Sequence, residues 1–429
     1  MLKAGFSRLD ITPPLGSYLA GYFRQRYAKG ILDPIELNAL AVSDGENTAL
    51  IITADLLGIA MKYADGIISL ITERTGIPAE RIMISCLHQH TSLVLKDLAP
   101  HTVNDKAYMD VLYRKFADAA VLAIDDMSDA ELYYGEEETA VKLSFTRRYL
   151  MKDGSVMTNP GGLEADIVRP ISPADNTVRL LHLKREGKND IALVNFSTHP
   201  DVIGGELLSA DWPGFVRRYV EKDHTGVSCI LLNGVQGDVN HSDYIGGRKG
   251  GYEHSAFMGR TIADTVNNLL RVSAPLESGK LGGAKTVVMN KTRTDGEEEY
   301  EEAKRLYDDY CAGRLEKKPR SATLGRWCRI INIRTDPIWR PIPVTVLKIG
   351  TLAFVGFGGE PFTHYATAVR EARPDLTIIA SCLANGNEGY LPTRTAFEEG
   401  GYEADSSPFS PDLEDSCVTA AVKMLGEIF

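Results

Sequence analysis

The chain has 429 residues, of which 44% are hydrophobic and 24% charged, and its formal net charge is −11. This length accommodates one large domain or two ordinary ones, and the composition is that of a folded globular protein. The acidic balance argues against a nucleic-acid-binding surface and against binding to an anionic membrane.

Cysteine usage and the amino terminus narrow the class of protein further. The six cysteines are scattered and form no CxxC pair, so we expect reduced, mostly buried thiols rather than a disulfide framework. The first residues lack the apolar core of a signal peptide, and no apolar run approaches the length of a membrane span. We therefore expect a cytoplasmic protein without a transmembrane segment.

The amino-terminal part is predicted to consist of strands and turns. Residues 21–34 form a polar, aromatic and basic loop, GYFRQRYAKGILDP. A hairpin follows, with strands over 37–42 and 49–53 joined by a turn at Asp44-Gly45.

The next strand ends in two histidines. A helix is predicted over 60–76, and the apolar run at 82–87 is typical of a strand buried on both faces. It stops at His88-Gln89-His90, which places two imidazoles at the rim of a sheet, and neutral imidazole is a common metal ligand. For this motif alone, hydrogen-bonded rim histidines are the simpler interpretation.

Later segments repeat the pattern of a strand that ends in a polar group. A helix is predicted over 104–127, and strands over 177–185 and 191–198 follow it, the second stopping at His199. The strand and glycine turn at 228–241 end in Asn240 and His241.

The carboxyl-terminal part contains one segment of different character. Residues 294–328 are charge-rich and predict a solvated helical excursion. A strand then leads to a glycine turn with Glu360 and a helix, and the last strand ends in a loop that carries Tyr390.

Strand, polar loop and helix thus alternate along the chain. This order predicts a single domain over 1–429 with a mixed, largely parallel central sheet flanked by helices. In such sheets ligands bind beyond the carboxyl ends of the strands. The strand exits carry several groups that can bind a metal or move a proton, namely Asp55, His88, His90, His199, Glu360 and Tyr390.

Seven motifs, taken in order, carry a resemblance to a known family. They are RLDITPP (8–14), GYFRQRYAKGILDP (21–34), the strand ending in HQH (88–90), STHP (197–200) with SADWPG (209–214), NGVQGDVNH (233–241), GGEPF (358–362) and EGYLPT (388–393). The chain resembles the catalytic domain of the neutral/alkaline non-lysosomal ceramidase family, in a compact version without the carboxyl-terminal immunoglobulin-like domain.

The resemblance implies one catalytic zinc ion held by two histidines, a glutamate and a tyrosine. The matching residues here are His88, His199, Glu360 and Tyr390. A histidine and carboxylate set with an open position is a catalytic zinc site, in which a bound water is acidified. The alternatives are that Glu360 stabilises a helix N-terminus and that Tyr390 is a packing residue.

The implied activity is that of a zinc-dependent amidase acting on a small-molecule or lipid-amide substrate. His90, Asn240 and His241 are the candidate catalytic residues, and Arg147, Arg148 and Asp211 are candidates for substrate binding. The alternatives are solvated loop arginines for the first two and a strand-end cap for Asp211, and Asp55 could likewise cap a strand or orient a histidine.

The sequence departs from the family at Asn240, where the family carries a serine implicated in catalysis. Asparagine cannot be a nucleophile, but its amide can hold a substrate carbonyl or hydroxyl. Two alternative functions therefore stay open: the same zinc pocket acting on a soluble sugar or cyclitol derivative, and a non-catalytic module that binds a polar ligand.

Overall fold

The structure is a computed structural model, and it describes residues 1–96, 106–247, 249–333 and 339–428. Ten α-helices lie within these residues: α1 Met61–Thr75, α2 Lys106–Asp125, α3 Asp211–Asp223, α4 Tyr252–Val272, α5 Glu297–Cys311, α6 Ser321–Ile333, α7 Thr363–Ala372, α8 Arg394–Glu399, α9 Tyr402–Ser406 and α10 Leu413–Glu427.

The strands of the same residues are numbered in chain order. They are β1 Lys3–Asp10, β2 Gly30–Ile31, β3 Glu36–Ser43, β4 Thr48–Ala54, β5 Gly58–Ile59, β6 Ile82–Cys86, β7 Val94–Leu95, β8 Ser128–Glu138, β9 Phe145–Thr146, β10 Arg148–Met151, β11 Val156–Thr158, β12 Ile167–Pro170, β13 Thr177–Arg185, β14 Asp190–Phe196, β15 Leu207–Leu208, β16 Val227–Asn233, β17 Val239–Asn240, β18 Ala274–Pro275, β19 Leu281–Lys291, β20 Trp339–Ile349, β21 Leu352–Phe357, β22 Glu360–Pro361, β23 Thr377–Ser381 and β24 Tyr390–Leu391.

Helices and sheets are stacked in four layers, in the order α-β-β-α. One face of a nine-stranded sheet packs on α1 and α2 through one apolar cluster and on α3 and α4 through another. Its other face packs on the four-stranded sheet β19-β20-β21-β23. Helices α7 and α10 cover the far side of that second sheet. Apolar surface is thus buried in all three interlayer spaces, which is what holds the layers together.

The large sheet is mixed, as predicted, but most of its neighbouring strands are antiparallel, contrary to the prediction of a largely parallel sheet. Its order is β16-β14-β13-β8-β1-β3-β4-β6. Only the outermost pairs of this order, β4 with β6 and β14 with β16, are parallel among the described strands. The inner pairs are antiparallel. Short hairpins such as β3–β4 and β13–β14 force antiparallel pairing, whereas parallel neighbours need a helical crossover.

The two parallel pairs matter most for function, because both crossovers return the chain to the same end of the sheet. Helix α1 connects β4 to β6, and α3 connects β14 to β16. The large sheet curves until its edge strands β6 and β16 contact each other. The carboxyl ends of both parallel pairs therefore meet in space, which is where polar side chains can converge.

Most of the predicted elements are observed. The helix predicted over 60–76 is α1, whose amphipathic face buries Ile67, Ile68 and Ile71, and it ends at Gly76 with φ 73°. The helix predicted over 104–127 is α2, and the first two residues of that prediction lie outside the described part of the chain. The charge-rich segment forms α5 and α6, and α6 packs on α9.

Two other expectations can be compared with the structure. No helix among the described residues is both long and apolar enough to cross a membrane. The six cysteines are all free thiols, four of them buried.

Candidate metal centre

His88 lies two residues beyond the end of β6 in a strained backbone conformation. Its φ is 78°, a left-handed value that is uncommon for a non-glycine residue and is found most often at functional sites. The Nδ1 atom of the ring lies 2.7 Å from the carbonyl oxygen of Leu57. Because a carbonyl oxygen only accepts hydrogen bonds, Nδ1 carries the ring proton, and Nε2 of the neutral ring presents a lone pair.

His199, beyond the end of β14, is oriented in the same way. Its Nδ1 atom lies 2.9 Å from the carbonyl oxygen of Val239, so its Nε2 atom also presents a lone pair when the ring is neutral. The two rings are 5.0 Å apart between centroids, and their side chains are almost completely buried. The edge strand β6 and the strand β14, which is next to the opposite edge of the large sheet, thus bring two imidazoles together.

Asn233, at the end of β16, links the two histidine-bearing segments. Its side-chain amide donates hydrogen bonds to the carbonyl oxygens of Leu87 (2.9 Å) and Thr198 (3.3 Å), the residues that precede the two histidines. Sequence reasoning missed this residue, although it begins the NGVQGDVNH motif. Its role depends on strand order, which the motif alone does not reveal.

Glu360 faces both imidazoles from the end of the second sheet. Its Oε2 atom lies 3.3 Å from Nε2 of His88 and 3.2 Å from Nε2 of His199. The turn before Val239 approaches the backbone of Glu360 closely. A Cβ atom on Gly237 in this turn would lie 2.3 Å from the Glu360 carbonyl oxygen. Glycine is therefore required there.

His90 completes the group, with its ring 5.0 Å from that of His88. Neither ring nitrogen of His90 has a hydrogen-bond partner. Its Nδ1 atom lies 3.5 Å from Oδ1 of Asp201, and that oxygen accepts the hydroxyl hydrogen of Tyr22. Sequence reasoning missed both of these residues. Asp201 immediately follows the STHP motif, and Tyr22 is the second residue of the loop over 21–34.

These four residues, His88, His90, His199 and Glu360, are called the histidine cluster below. Nitrogen atoms of its three histidines all lie within 4.8 Å of one another, so they could hold a metal ion. The contacts of Glu360 define a second, overlapping donor set of two imidazoles and one carboxylate.

The chemistry of this second set fits a cation. When the rings are neutral, the lone pairs of His88 and His199 point at a carboxylate oxygen, and atoms that only accept hydrogen bonds repel each other at such distances. A proton or a metal ion between them converts the repulsion into attraction. The contact of Arg147 Nη1 with Nε2 of His199, at 3.4 Å, is too long to satisfy that lone pair fully.

The electrostatics of the histidine cluster differ from ring to ring. Burial alone would lower the pKa of His88, but the Glu360 carboxylate raises it above its usual value. Burial, followed by the nearby Arg147 guanidinium, lowers the pKa of His199 to about 4. Burial and the two neighbouring imidazoles lower the pKa of His90. His90 and His199 are therefore neutral at pH 7, the form that binds metals.

A second buried group adjoins the histidine cluster and is called the arginine–glutamate cluster: Arg147, Arg148, Glu399 and Glu403. Nε of Arg147 lies 2.7 Å from Glu403, and Arg148 lies 3.1 Å from Glu403 and 2.9 Å from Glu399. Arg147 and Arg148 were predicted to bind substrate. Both are buried and are already engaged by carboxylates, so that role stays a prediction.

Tyr390, predicted as the fourth ligand, lies between the two clusters. Strand β24 places it opposite Glu360 on β22, and the Arg147 guanidinium lies over its ring at 5.0 Å. Burial raises the pKa of Tyr390 well above its usual value, so the phenol is neutral in the protein alone. Its role as a ligand stays a prediction.

Asp211 and Asp55 both support loops of the site. The Asp211 carboxylate accepts hydrogen bonds from the backbone N–H groups of Val202 and Ile203, at 2.9 and 3.0 Å, in the loop after His199. Asp55 accepts one from the side chain of Gln89, at 2.7 Å, between His88 and His90. It also forms a buried ion pair with Arg217.

The remaining candidates, Asn240 and His241, lie in and directly after β17. Both ends of the Asn240 amide are bonded within the protein, to Asn159 and to the N–H of Ser242, each at 2.9 Å. Burial and the neighbouring His254 lower the pKa of His241 to about 4. Their catalytic roles stay predictions.

The four-layer sandwich, with a polar cluster where the ends of parallel strands meet, defines a class of mixed α/β proteins with a site at the strand ends. Solved structures that share this fold include two ceramidases. One is neutral ceramidase from Pseudomonas aeruginosa, with a TM-score of 0.76 and 15% identity over 99% of this chain and 74% of that chain. The other is a ceramidase complexed with C2, with a TM-score of 0.76 and 16% identity over 99% and 75%.

At this identity the likeness shows a shared fold, and it confirms at that level the resemblance predicted from the seven motifs. No protein-family model matches the chain. No curated protein matches it by sequence.

Proposed function

We propose that this protein is a zinc-dependent hydrolase that cleaves an amide bond. One observation carries the proposal: Nε2 atoms of His88 and His199 face the same oxygen of Glu360 at 3.3 and 3.2 Å. Two imidazoles and a carboxylate with an open position are the donor set of catalytic zinc sites. The amide bond comes from the ceramidases that share the fold and is an analogy.

In this proposal His88, His199 and Glu360 hold the zinc ion, with Tyr390 as a weaker fourth ligand. The carbonyl groups that bond both Nδ1 atoms fix the tautomer and the ring orientation that a metal needs. A bound zinc ion supplies Lewis-acid activation of water and of a carbonyl group.

The chain's own residues supply the proton transfer. His90 adjoins the other two imidazoles, and both its ring nitrogens are free of protein hydrogen bonds. A neutral imidazole in this position can accept a proton from an attacking water and return it to a leaving amine. Asp201 and Tyr22 lie behind the ring, on the side of Nδ1.

A second candidate substrate class is a soluble sugar or cyclitol derivative. Asn240 favours it, because an asparagine occupies the position at which the ceramidase family carries serine. Its side chain is already bonded to Asn159, so it contributes a fixed amide rather than a nucleophile.

Metal content is the first test. Zinc is titrated into chelator-treated protein by isothermal calorimetry, and we expect one equivalent to bind. His88→Ala and His199→Ala should each weaken binding by at least about 100-fold, because each removes a ligand. His364→Ala, which changes an exposed histidine, is the matched control and should bind like wild type.

Two further variants decide which donor set holds the ion. His90→Ala should change zinc affinity little if Glu360 is the third ligand, and Tyr390→Phe should weaken it by about tenfold or less. A strong loss in His90→Ala with none in Glu360→Gln would instead assign the ion to the three histidines. No binding to wild type would overturn the proposal.

Substrate class is the second test. Zinc-loaded protein is assayed with a short-chain fluorescent ceramide, an N-acyl amino sugar and an aryl glycoside, with and without chelator. Chelator-sensitive cleavage of either amide supports the proposal. Cleavage of the glycoside alone would replace it with the sugar hydrolase, and zinc binding without turnover of any substrate would favour a binding module.

A further inference from the structure

A cleft of about 360 Å³ with a mixed polar and apolar lining lies outside the histidine cluster, between helix α7 and the segment that leads into β13. Helix α7 presents Thr363, Ala366, Thr367 and Arg370 to it. Their spacing of three, four and seven residues places them on one helix face. Arg179 of β13 lines the cleft as well, so two guanidinium groups share one space.

Arg370 is poorly compensated for a partly buried cation, whose side chain is 28% exposed. The carboxylate of Asp175 lies 4.0 Å from Nη1 of Arg370, and Nε of Arg370 donates to the carbonyl oxygen of Ile378 at 3.4 Å. Arg148, by comparison, has carboxylate oxygens at 2.9 and 3.1 Å. Burial, followed by the charge of Arg179, lowers the pKa of Arg370 to about 10, as expected where positive charge is incompletely balanced.

Asp175 is the one carboxylate that lines the cleft among the described residues, and Arg179 already uses it. Nη1 of Arg179 lies 3.0 Å from Asp175, and its Nε lies 3.3 Å from Glu136, whose side chain is half exposed. Among the described residues, Arg370 is therefore left with the long contact to Asp175 as its carboxylate contact.

The cleft also offers hydroxyl donors. Ser197, at the end of β14, is 6% exposed and lines the cleft, and Thr367 lines it from α7. Arginine side chains bind tetrahedral oxyanions through paired N–H groups, and hydroxyls complete such sites. The donors thus outnumber the acceptors that face them.

We propose that this cleft binds a small phosphate-type oxyanion, held by Arg370 and Arg179 with hydroxyl groups from Ser197 and Thr367. Asp175 opposes the anion, so the affinity is modest. The site is independent of the proposed hydrolase activity. It adjoins both ligand-bearing segments, because Ser197 lies two residues before His199 and the cleft residue Thr363 three residues after Glu360.

The test uses the whole protein, freed of divalent metal by chelator so that phosphate has no metal to bind. Inorganic phosphate is titrated at constant ionic strength, with chloride as the replaced anion, by calorimetry and thermal unfolding. We expect saturable binding and a rise in unfolding temperature, because a ligand of the native state stabilises it. Glycerol 3-phosphate, assayed in parallel, distinguishes a phosphate monoester from free phosphate as the preferred ligand.

Arg370→Gln should weaken phosphate binding by about tenfold or more, since a charge-assisted contact is lost. Arg373→Gln is the matched control: it removes a cation just beyond the end of α7 that pairs with Asp375 and does not line the cleft. Equal responses from the two variants, or no response of wild type beyond that to chloride, would overturn the proposal.

A second variant keeps the test decisive if Arg370→Gln folds poorly. Thr367→Glu places a carboxylate in the cleft beside the arginines. It should raise the unfolding temperature without phosphate and abolish the response to phosphate. A Thr367→Glu protein that still binds phosphate like wild type would contradict the site.

Discussion

The histidine cluster and the arginine–glutamate cluster lie side by side at the same depth, yet their charges are balanced in different ways. In the arginine–glutamate cluster each buried cation has a carboxylate oxygen within 2.9 Å. In the histidine cluster the Nε2 atoms of His88 and His199 face the Glu360 carboxylate instead, and each presents a lone pair to it when its ring is neutral. The charges of the first cluster are balanced within the protein, whereas the second, with its rings neutral, needs a proton or a metal ion between the nitrogens and the carboxylate.

The difference shows how a structural polar cluster can be told from a site. A buried charge that finds its partner within the chain fixes the fold, and removing one partner leaves the other uncompensated. A buried hydrogen-bond acceptor that faces other acceptors is unfavourable unless a proton, a metal ion or a ligand binds between them. The predictions below test this distinction.

The largest effect on stability is expected from Glu403→Ala. The change leaves Arg147 and Arg148 without their shared partner in a buried environment, and we expect a loss of about 3–5 kcal/mol in the free energy of unfolding. Glu399→Ala, at the more exposed side of Arg148, should cost no more than about 1 kcal/mol. Urea denaturation monitored by circular dichroism measures both, and equal losses would contradict a difference between the two carboxylates.

Acid should reduce the stability that the arginine–glutamate cluster contributes, by less than the Glu403→Ala substitution does. Burial alone would raise the pKa of Glu403, but Arg147 and Arg148 outweigh it and hold that pKa below its usual value of 4.5. A lowered native pKa contributes stability that is present above pH 4.5 and lost as the pH falls through the native value. In Glu403→Gln this part of the pH dependence should be absent from unfolding curves between pH 7 and 3.

Asn233→Leu should damage the histidine cluster while the fold persists. It removes the amide that bonds both histidine segments, so we expect a loss of about 1–3 kcal/mol in stability and of about 10–100-fold in zinc affinity. Asn195→Leu is the matched control, because its buried amide bonds Leu232 and Ala380 instead. The control should lose stability but keep its zinc affinity; parallel losses of affinity in both variants would refute the link.

The smallest effect on stability is expected from Glu360→Gln in the metal-free protein. Above the raised pKa of His88 both rings are neutral. A neutral amide can then donate to Nε2 of either histidine and relieves the repulsion, so the free energy of unfolding at that pH should change by less than about 1 kcal/mol or rise. The stabilisation that zinc gives to wild type should disappear. A large loss of stability without metal would mean that Glu360 is a structural partner of the histidines, like Glu403 of the arginines.

The sequence predicted the elements well and their pairing less well. Periodicity and turn residues located α1, the β3–β4 hairpin and the strand that ends in His88. The predominance of antiparallel pairs was missed, because side-chain patterning within a strand does not report the direction of its neighbour. The direction of a strand follows from the connection to its neighbour, and only the structure shows which strands are neighbours.

Sequence by itself determined which residue types stand at the strand exits: His88 and His90 after β6, His199 after β14, and Glu360 after β21. Only the tertiary structure decided that these exits meet, because the curvature of the large sheet and the packing of the second sheet set distances between residues far apart in the chain. It also paired Arg147 and Arg148 with the carboxylates of Glu399 and Glu403. Charge balance in a protein interior is a property of spatial neighbours, and the order of residues along the chain does not specify them.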